Sequence, residues 1–386
     1  MPHSLLAFAK YTFTKDYADT ITGKNPQNLN FDLRIYEPGN FTRIIHPLFY
    51  KLNSSHLKGS YNSSKHQLNF SASIPEIAFG NFTVRRADVD VKAINGVFNF
   101  QTSIDKVYSG DSLLLDTVNL LANRHGENFD VNVMVADKHR FNYADITAYI
   151  TPLKEKSVVR LDTSDVKLGN YNWHFKPDNF IYVDGKKITT HNLVFKTNDQ
   201  TVFIDSYLKN DTSTSVKVTL DNTDIGDFTG VFTEKMKDLK GAMNGKLVVE
   251  DIFAKPLVYS DVVINDFTLG KELIGDIDLE SRLDESGKKI NLYASIKSVN
   301  NFLEANGYVS LEGKTPTLKI DADASRLGIN FLNYKFFDKY VKDCRGYAQV
   351  HATIAGPLNK PLLTGYVDLI NDTVSVSFLN TTYHIQ

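Results

Sequence analysis

Alternation of apolar and polar residues with a period of two recurs from one end of this chain to the other, and it constrains the fold more than any other feature. Successive side chains of a β-strand point to opposite faces, so an alternating segment forms a strand with one dry face and one wet face. In one such segment Leu68, Phe70 and Ala72 alternate with glutamine, asparagine and serine. Turn sequences such as Asn95-Gly96 and Asn306-Gly307 separate the segments, as in hairpins.

The sequence therefore predicts an all-β fold with a few short helices and a sheet rich in antiparallel pairs. Alternation alone does not distinguish an open sheet with an uncovered apolar face from two sheets packed face to face. The apolar residues expected on the dry face are Leu68, Phe70, Ala72, Val89, Val91, Val131, Val133, Val216, Val218, Ile290, Leu292, Ile296, Leu318, Ile320, Val350 and Ile354.

Helical patterns are few and short. The clearest covers residues 328–341, where apolar residues recur at helical spacing, and others are expected near 41–52 and 228–236. Each leads into a basic residue, a glycine and a strand, as at Lys240-Gly241 and Arg345-Gly346. This recurrence indicates a long, irregular internal repeat. The predicted segments are an amino-terminal β-rich segment 1–225, a repeat 226–330 and an apparently truncated repeat 331–386.

Composition excludes several classes of function. Lys and Arg number 43 against 45 Asp and Glu, so there is no basic field for nucleic acid, and no nucleic-acid partner is expected. Cys344 is the single cysteine, which excludes a disulfide framework and a cysteine-based zinc site, and we expect it to be a small buried residue. No catalytic, phosphate-binding or metal-binding motif is found, so we expect no enzyme activity, no cofactor and no metal site.

No stretch of the sequence approaches the ~20 apolar residues that a membrane-spanning helix needs. The chain is therefore expected to be either a soluble protein or a fragment of a larger protein whose targeting segment lies outside it, and we favour the fragment. An outer-membrane barrel also has alternating strands, but the short helices and the prolines at strand ends disfavour that fold.

The stretch 344–369 carries a resemblance to a known family. It contains a strand led by Gly346, then Gly356-Pro357-Leu358, Lys360-Pro361, and a second strand led by Gly365. This arrangement resembles the repeat of the TamB/AsmA family of bacterial envelope proteins. An earlier copy, at 245–269, keeps the lysine-proline pair but has phenylalanine and alanine in place of Gly-Pro-Leu.

The resemblance implies an elongated, curled sheet that forms an open apolar groove, lined by the residues expected on the dry face. It implies a periplasmic, non-enzymatic carrier of phospholipid acyl chains between inner and outer membranes, anchored to the inner membrane through a segment outside this chain. It also implies a partner, an outer-membrane barrel assembly protein. The alternative is a structural or adhesive β-repeat protein of the cell surface without lipid cargo, and an all-β carbohydrate-active enzyme ranks below both.

Overall fold

The chain divides into two compact units, Met1–Leu193 and Val194–Gln386. The computed structural model describes residues 27–36, 49–94, 96–138, 140–153, 156–162, 164–185, 187–209, 213–232, 238–253, 256–313, 315–335, 337, 339–377, 379 and 381–385. Strands make up most of these residues, so the predicted all-β fold is confirmed. No helix in this part of the chain is long and apolar enough to cross a membrane.

The first unit contains one antiparallel sheet, called the first sheet. Its strands are β1 (Asn28–Ile35), β2 (Phe49–Asn53), β3 (Ser55–Asn62), β4 (Gln67–Phe79), β5 (Phe82–Ile94), β6 (Val97–Ser109), β7 (Ser112–Leu115), β8 (Thr117–His125), β9 (Asn128–Ala136), β10 (Tyr143–Pro152), β11 (Ser157–Leu161), β12 (Asp165–Leu168), β13 (Tyr171–Phe175), β14 (Phe180–Asp184) and β15 (Lys187–His191). Strand β1 pairs with β3, and the sheet continues through β4, β5, β6, β8, β9 and β10. At β10 it branches, because one half of that strand pairs with β11 and the other with β12.

The second unit contains a simple antiparallel meander, called the second sheet. Strand β16 (Leu193–Lys196) crosses the boundary between the units, and the strands that follow are β17 (Thr201–Lys209), β18 (Ser213–Asp224), β19 (Leu239–Glu250), β20 (Leu257–Leu269), β21 (Glu272–Leu283), β22 (Lys289–Lys297), β23 (Phe302–Ser310), β24 (Thr317–Gly328), β25 (Val341–Pro357), β26 (Leu362–Val376) and β27 (Thr381–Ile385). From β17 to β27, each strand pairs with the next along the chain. Helix α1 (Ile225–Phe232) and a 3-10 helix (Ile329–Asn333) lie between strands.

Bulges interrupt several ladders of the second sheet, and polar side chains satisfy the backbone groups that they free. Asn222 and Asp266 lie at register shifts and have positive φ angles of 51° and 50°. The N–H of Asn222 donates to Asn244 Oδ1 at 2.9 Å, and that of Asp266 donates to Asp276 Oδ1 at 2.9 Å. Bulges of this kind increase the local twist of a sheet.

The predicted helices are shorter than the sequence pattern indicates. Helix α1 confirms the pattern near 228–236 as far as Phe232, and the remaining residues lie outside the described part. Near 41–52 the prediction is wrong from residue 49, because Phe49–Asn53 is strand β2, while 41–48 lie outside the described residues. Among the described residues of 328–341, only Ile329–Asn333 is helical.

The early end of that 3-10 helix has a local cause. The side chain of Asn333 accepts a hydrogen bond from the Cys344 N–H at 2.6 Å and donates one to the Cys344 carbonyl at 2.8 Å. This amide clamp ties the chain to the start of β25, and Tyr334 already has extended dihedral angles. Cys344 is fully buried beside Ile329 and Ala348, as expected, and burial raises the pKa of its thiol.

One predicted turn is also wrong. Asn306-Gly307 lies in the middle of β23 rather than between two strands. A glycine is required there because the neighbouring strand approaches closely: a Cβ on Gly307 would lie 2.7 Å from the Ile320 Cα and would overlap the Lys319 carbonyl oxygen. The predicted boundaries at 225/226 and 330/331 both fall inside the second unit and stay a prediction.

Candidate functional site

A continuous apolar face crosses the first sheet. Antiparallel partners point to the same side of a sheet, so the register shows which residues share this face. One row of directly paired residues, called the first apolar row, runs across nine strands without a charged side chain. Its residues are Phe31, Gly59, Phe70, Val91, Phe100, Ala122, Val131, Ala148 and Leu161.

The second sheet has an equivalent apolar face. Its central row, called the second apolar row, runs from β17 to β26, and the only polar members are Ser260 and Ser281, whose hydroxyls are hydrogen-bonded to each other at 3.0 Å. The two hydroxyls are therefore hydrogen-bond partners of each other, and neither is left without a partner in the row. The residues of the second apolar row are Ile204, Val218, Leu247, Ser260, Ser281, Leu292, Gly307, Ile320, Ile354 and Leu363.

All sixteen residues predicted on the dry face lie on these two faces, seven on the first sheet and nine on the second. Only Ala72 among them is fully buried, at 6% exposure, while the others are half-buried. Side chains inside a sealed sandwich core touch neighbours on every side and are almost fully buried. Side chains that touch only neighbours within their own sheet remain half-buried, as these residues are.

The opposite face of each sheet is polar and hydrogen-bonded. On the second sheet, Thr353 Oγ1 donates to Asp321 Oδ1 at 2.7 Å, and this bond holds the pKa of Asp321 below its usual range. Next to it, His351 Nδ1 lies 2.6 Å from Asp323 Oδ1. On the first sheet, the hydrogen bond from His56 lowers the pKa of Asp32 in the same way. Charged groups thus occupy the wet faces and not the two apolar rows.

A cavity of about 600 Å³ lies against strands β1, β3, β4 and β5 of the first sheet. Four successive members of the first apolar row, Phe31, Gly59, Phe70 and Val91, line it together with eight polar or charged residues that alternate with them along the strands, namely Asn30, Asp32, Lys58, Ser60, Asn69, Ser71, Asp90 and Lys92. The Phe31 ring occupies the space above Gly59, where a Cβ would lie 2.5 Å from the ring, and its centroid lies 6.4 Å from that of Phe70. The volume falls within the roughly 300–1,000 Å³ of small-molecule sites in proteins.

Packed aromatic rings cover part of the first apolar face. Tyr61, Phe98 and Phe129 are almost fully buried in a single cluster, and the Phe98 and Phe129 rings meet edge to face at 6.0 Å. Strand β8 separates the two strands that carry these phenylalanines, so the contact joins strands that are not neighbours. Val91, Phe100, Ala122 and Val131 of the first apolar row pack against this cluster, so part of the face is covered by rings.

A larger side chain that fills the cavity should block ligand binding there. We expect Val91→Trp to lower the affinity for a long-chain fluorescent fatty acid at least fivefold, because the indole would occupy space beside Phe31 and Phe70. Val89→Trp is the matched control, since Val89 lies on the same strand and face but does not line the cavity. Equal losses in the two variants, measured by fluorescence titration, would show that the probe does not bind there.

The sequence reasoning missed a row of small residues on the second apolar face. Across β22 to β26 the directly paired residues are Ala294, Ala305, Ala322, Ala352 and Gly365. Larger side chains lie on both sides, among them Leu292 and Ile296 on β22, so the small residues form a shallow channel across the strands. Alternation predicts Ala294, Ala322 and Ala352 at apolar positions of their strands, but only the strand register shows that they lie in one row.

Strand β1 was also missed. Leu29, Phe31 and Leu33 alternate with asparagine, aspartate and arginine, and they extend the first apolar face to the last strand of the sheet among the described residues. The same period-two signal used for β4 would have found them. The segment is short and follows a stretch without alternation, which hid it.

The site offers binding surface rather than reactive groups. Within the described part of the chain, no group of three or more His, Cys, Asp or Glu side chains could hold a metal ion. The two apolar rows contain no titratable side chain, so a ligand that lies on a row is held there by apolar contact. Comparisons with protein-family models, with curated proteins and with solved structures found no match to this chain.

Proposed function

We propose that this protein is a non-enzymatic carrier that holds phospholipid acyl chains along its apolar faces. The observation that supports it most is the in-register apolar face of each sheet, where fifteen of the sixteen residues predicted on the dry face remain half-buried. Each methylene removed from water contributes about 0.8 kcal/mol, so an acyl chain laid on such a face gains substantial free energy. Head groups stay in water at the open edge.

The face suits transfer better than storage. Each row presents many similar side chains and no single polar anchor, so a bound chain makes weak contacts that repeat along the sheet. A deep polar pocket would fix its ligand in one position instead.

The wider setting in this proposal comes from the resemblance to the TamB/AsmA family. It places the protein in the periplasm, attached to the inner membrane through a segment outside this chain, with an outer-membrane barrel assembly protein as partner. An envelope protein without lipid cargo, whose β-repeats are structural or adhesive, is the alternative that the experiment below must exclude.

Charging the second apolar face tests the proposal. We expect Ile320→Asp to reduce phospholipid bound per protein at least tenfold, because a carboxylate would lie among acyl methylenes. The matched control is Lys319→Asp, which places the same side chain one residue away on the wet face. Bound lipid is counted by native mass spectrometry after mixing with phosphatidylethanolamine in detergent and removing the detergent.

Circular dichroism must show that both variants remain folded. If the unmodified chain retains no phospholipid, or if Ile320→Asp and Lys319→Asp retain equal amounts, the carrier function is wrong and the structural alternative stands.

A further inference from the structure

A small polar cavity, called the end cavity, lies at one end of the second sheet. Its volume is about 110 Å³, well below the roughly 300–1,000 Å³ of sites that enclose a drug-sized ligand. The start of β21, the turn between β22 and β23, the start of the 3-10 helix and β25 contribute to it, and none of its residues belongs to either apolar row. The side chains that line it include Glu272, Asn300, Asn301, Asn330, Phe331 and Tyr347.

A buried amide holds the end cavity together. Asn301 is 5% exposed, and its Nδ2 donates to the Ile274 carbonyl on β21 at 2.6 Å while its Oδ1 accepts the Gly328 N–H at 2.8 Å. In the turn before it, Ser298 Oγ accepts the N–H groups of Asn300 and Asn301 at 3.2 and 3.0 Å. The walls of the end cavity are therefore fixed by the fold itself.

Several polar groups in the end cavity keep hydrogen-bonding capacity for a ligand. Within the described part of the chain, the Glu272 carboxylate and the Asn330 amide have no hydrogen-bond or ion-pair partner. The Tyr347 hydroxyl donates to Asn300 Oδ1 at 3.3 Å, so its oxygen can still accept and the Asn300 NH₂ group can still donate. The Arg326 guanidinium lies 4.0 Å from the centre of the Tyr347 ring and holds that ring in place.

Charge narrows the class of ligand that the end cavity accepts. Glu272 is the single charged side chain among the described residues that line it, so a phosphate or a carboxylate would be repelled. One carboxylate is also a poor ligand set for a divalent cation, which takes several oxygen ligands. An acyl chain would leave the carboxylate and the amides unpaired. A neutral ligand with several hydroxyl groups fits best, because each hydroxyl both donates and accepts.

We propose that the end cavity binds one edge of a neutral sugar ring. Hydroxyls of the sugar donate to the Glu272 carboxylate and accept from the amides of Asn300 and Asn330. The rings of Phe331 and Tyr347 offer apolar surface to the C–H groups of the sugar. The small volume admits a single sugar of a longer saccharide and leaves the rest in water. This binding is independent of the proposed lipid binding, since the two use different residues.

Saturation-transfer NMR tests the proposal with the methyl glycosides of glucose, galactose, mannose and N-acetylglucosamine. We expect at least one glycoside to receive saturation from the unmodified chain. Glu272→Ala should raise its dissociation constant at least tenfold, because the carboxylate that accepts the sugar hydroxyls is lost. Glu304→Ala is the matched control: Glu304 is also a half-buried strand glutamate of the second sheet, but it does not line the end cavity, and its loss should leave binding unchanged.

Removal of one hydroxyl tests the same site without a change of charge. Tyr347→Phe should weaken binding at least threefold, because the phenol that contacts Asn300 is lost. Tyr308→Phe is its control, since the Lys289 ammonium lies 4.8 Å from the centre of the Tyr308 ring but this tyrosine does not line the end cavity. No saturation of any glycoside, or equal weakening by a variant and its control, would overturn the proposal. Saturation of ethanolamine in place of the glycosides would overturn it too, because the carboxylate would then recognise an ammonium group.

Discussion

Gly307→Ala should destabilise the second unit by about 3 kcal/mol, near the upper end of the usual cost of overpacking. The new methyl would overlap the Lys319 carbonyl oxygen and lie 2.7 Å from the Ile320 Cα, so β23 and β24 must separate at the centre of the second apolar row. Urea unfolding measures the loss, and a fall in melting temperature of about 10 °C should accompany it.

Gly287→Ala is the control for this substitution. Gly287 has a φ of +70° in a turn, but no atom lies within 4 Å of its added Cβ. Backbone strain alone should cost about 1–2 kcal/mol there. If Gly307→Ala costs no more than the turn substitution, the close approach of β23 and β24 is wrong, and with it the shape of the second apolar face.

Asp227→Asn should stabilise the second unit at neutral pH by up to about 3 kcal/mol and should flatten its pH dependence. Burial at the start of α1 raises the pKa of Asp227 from 3.8 to about 6, and the nearby Asp224 carboxylate adds to the rise. Gln200 Nε2 donates to Asp227 Oδ2 at 3.3 Å and offsets only part of this cost.

The sign of the pH effect follows from the raised pKa. Between about pH 4 and pH 6 the folded chain keeps the Asp227 proton while the unfolded chain loses it. Stability therefore falls as the pH rises through this window, and the full cost is present above pH 6. At pH 4 and below, parent and variant should differ little.

Asp199→Asn provides the comparison, since Asp199 is an exposed carboxylate in the turn that holds Gln200. Urea unfolding of the three proteins between pH 4 and pH 8 gives the curves. An Asp227→Asn curve parallel to that of the parent would show that Asp227 does not carry this penalty.

The sequence predicted the faces well because alternation depends only on the two-residue period of a strand. Leu292 and Ile320 are apolar positions in their own segments. The strand register then places them in one row, on either side of Gly307. Helices were predicted less well, because a short apolar run at helical spacing also fits a strand or a turn. At 328–341 the Asn333 clamp on Cys344, a contact eleven residues away, ends the helix.

The sequence does not predict which strands pair or how closely neighbouring strands approach each other. The Asn306-Gly307 pair has the composition of a hairpin turn, yet the proximity of β24 makes that glycine a strand residue. The cavity depends on the position of the Phe31 ring above Gly59, which only the pairing of β1 with β3 determines.

Photo-crosslinking of lipid to adjacent positions of one strand tests the carrier function most directly. A photoreactive residue is placed at Leu292 or Val350, on the apolar face, and in separate variants at Asn291 or Gln349, one residue away on the wet face. After mixing with phospholipid and irradiation, mass spectrometry identifies the adducts. We predict phospholipid adducts at Leu292 and Val350 and few at the two wet-face positions. Adducts confined to Asn291 and Gln349 would contradict the account.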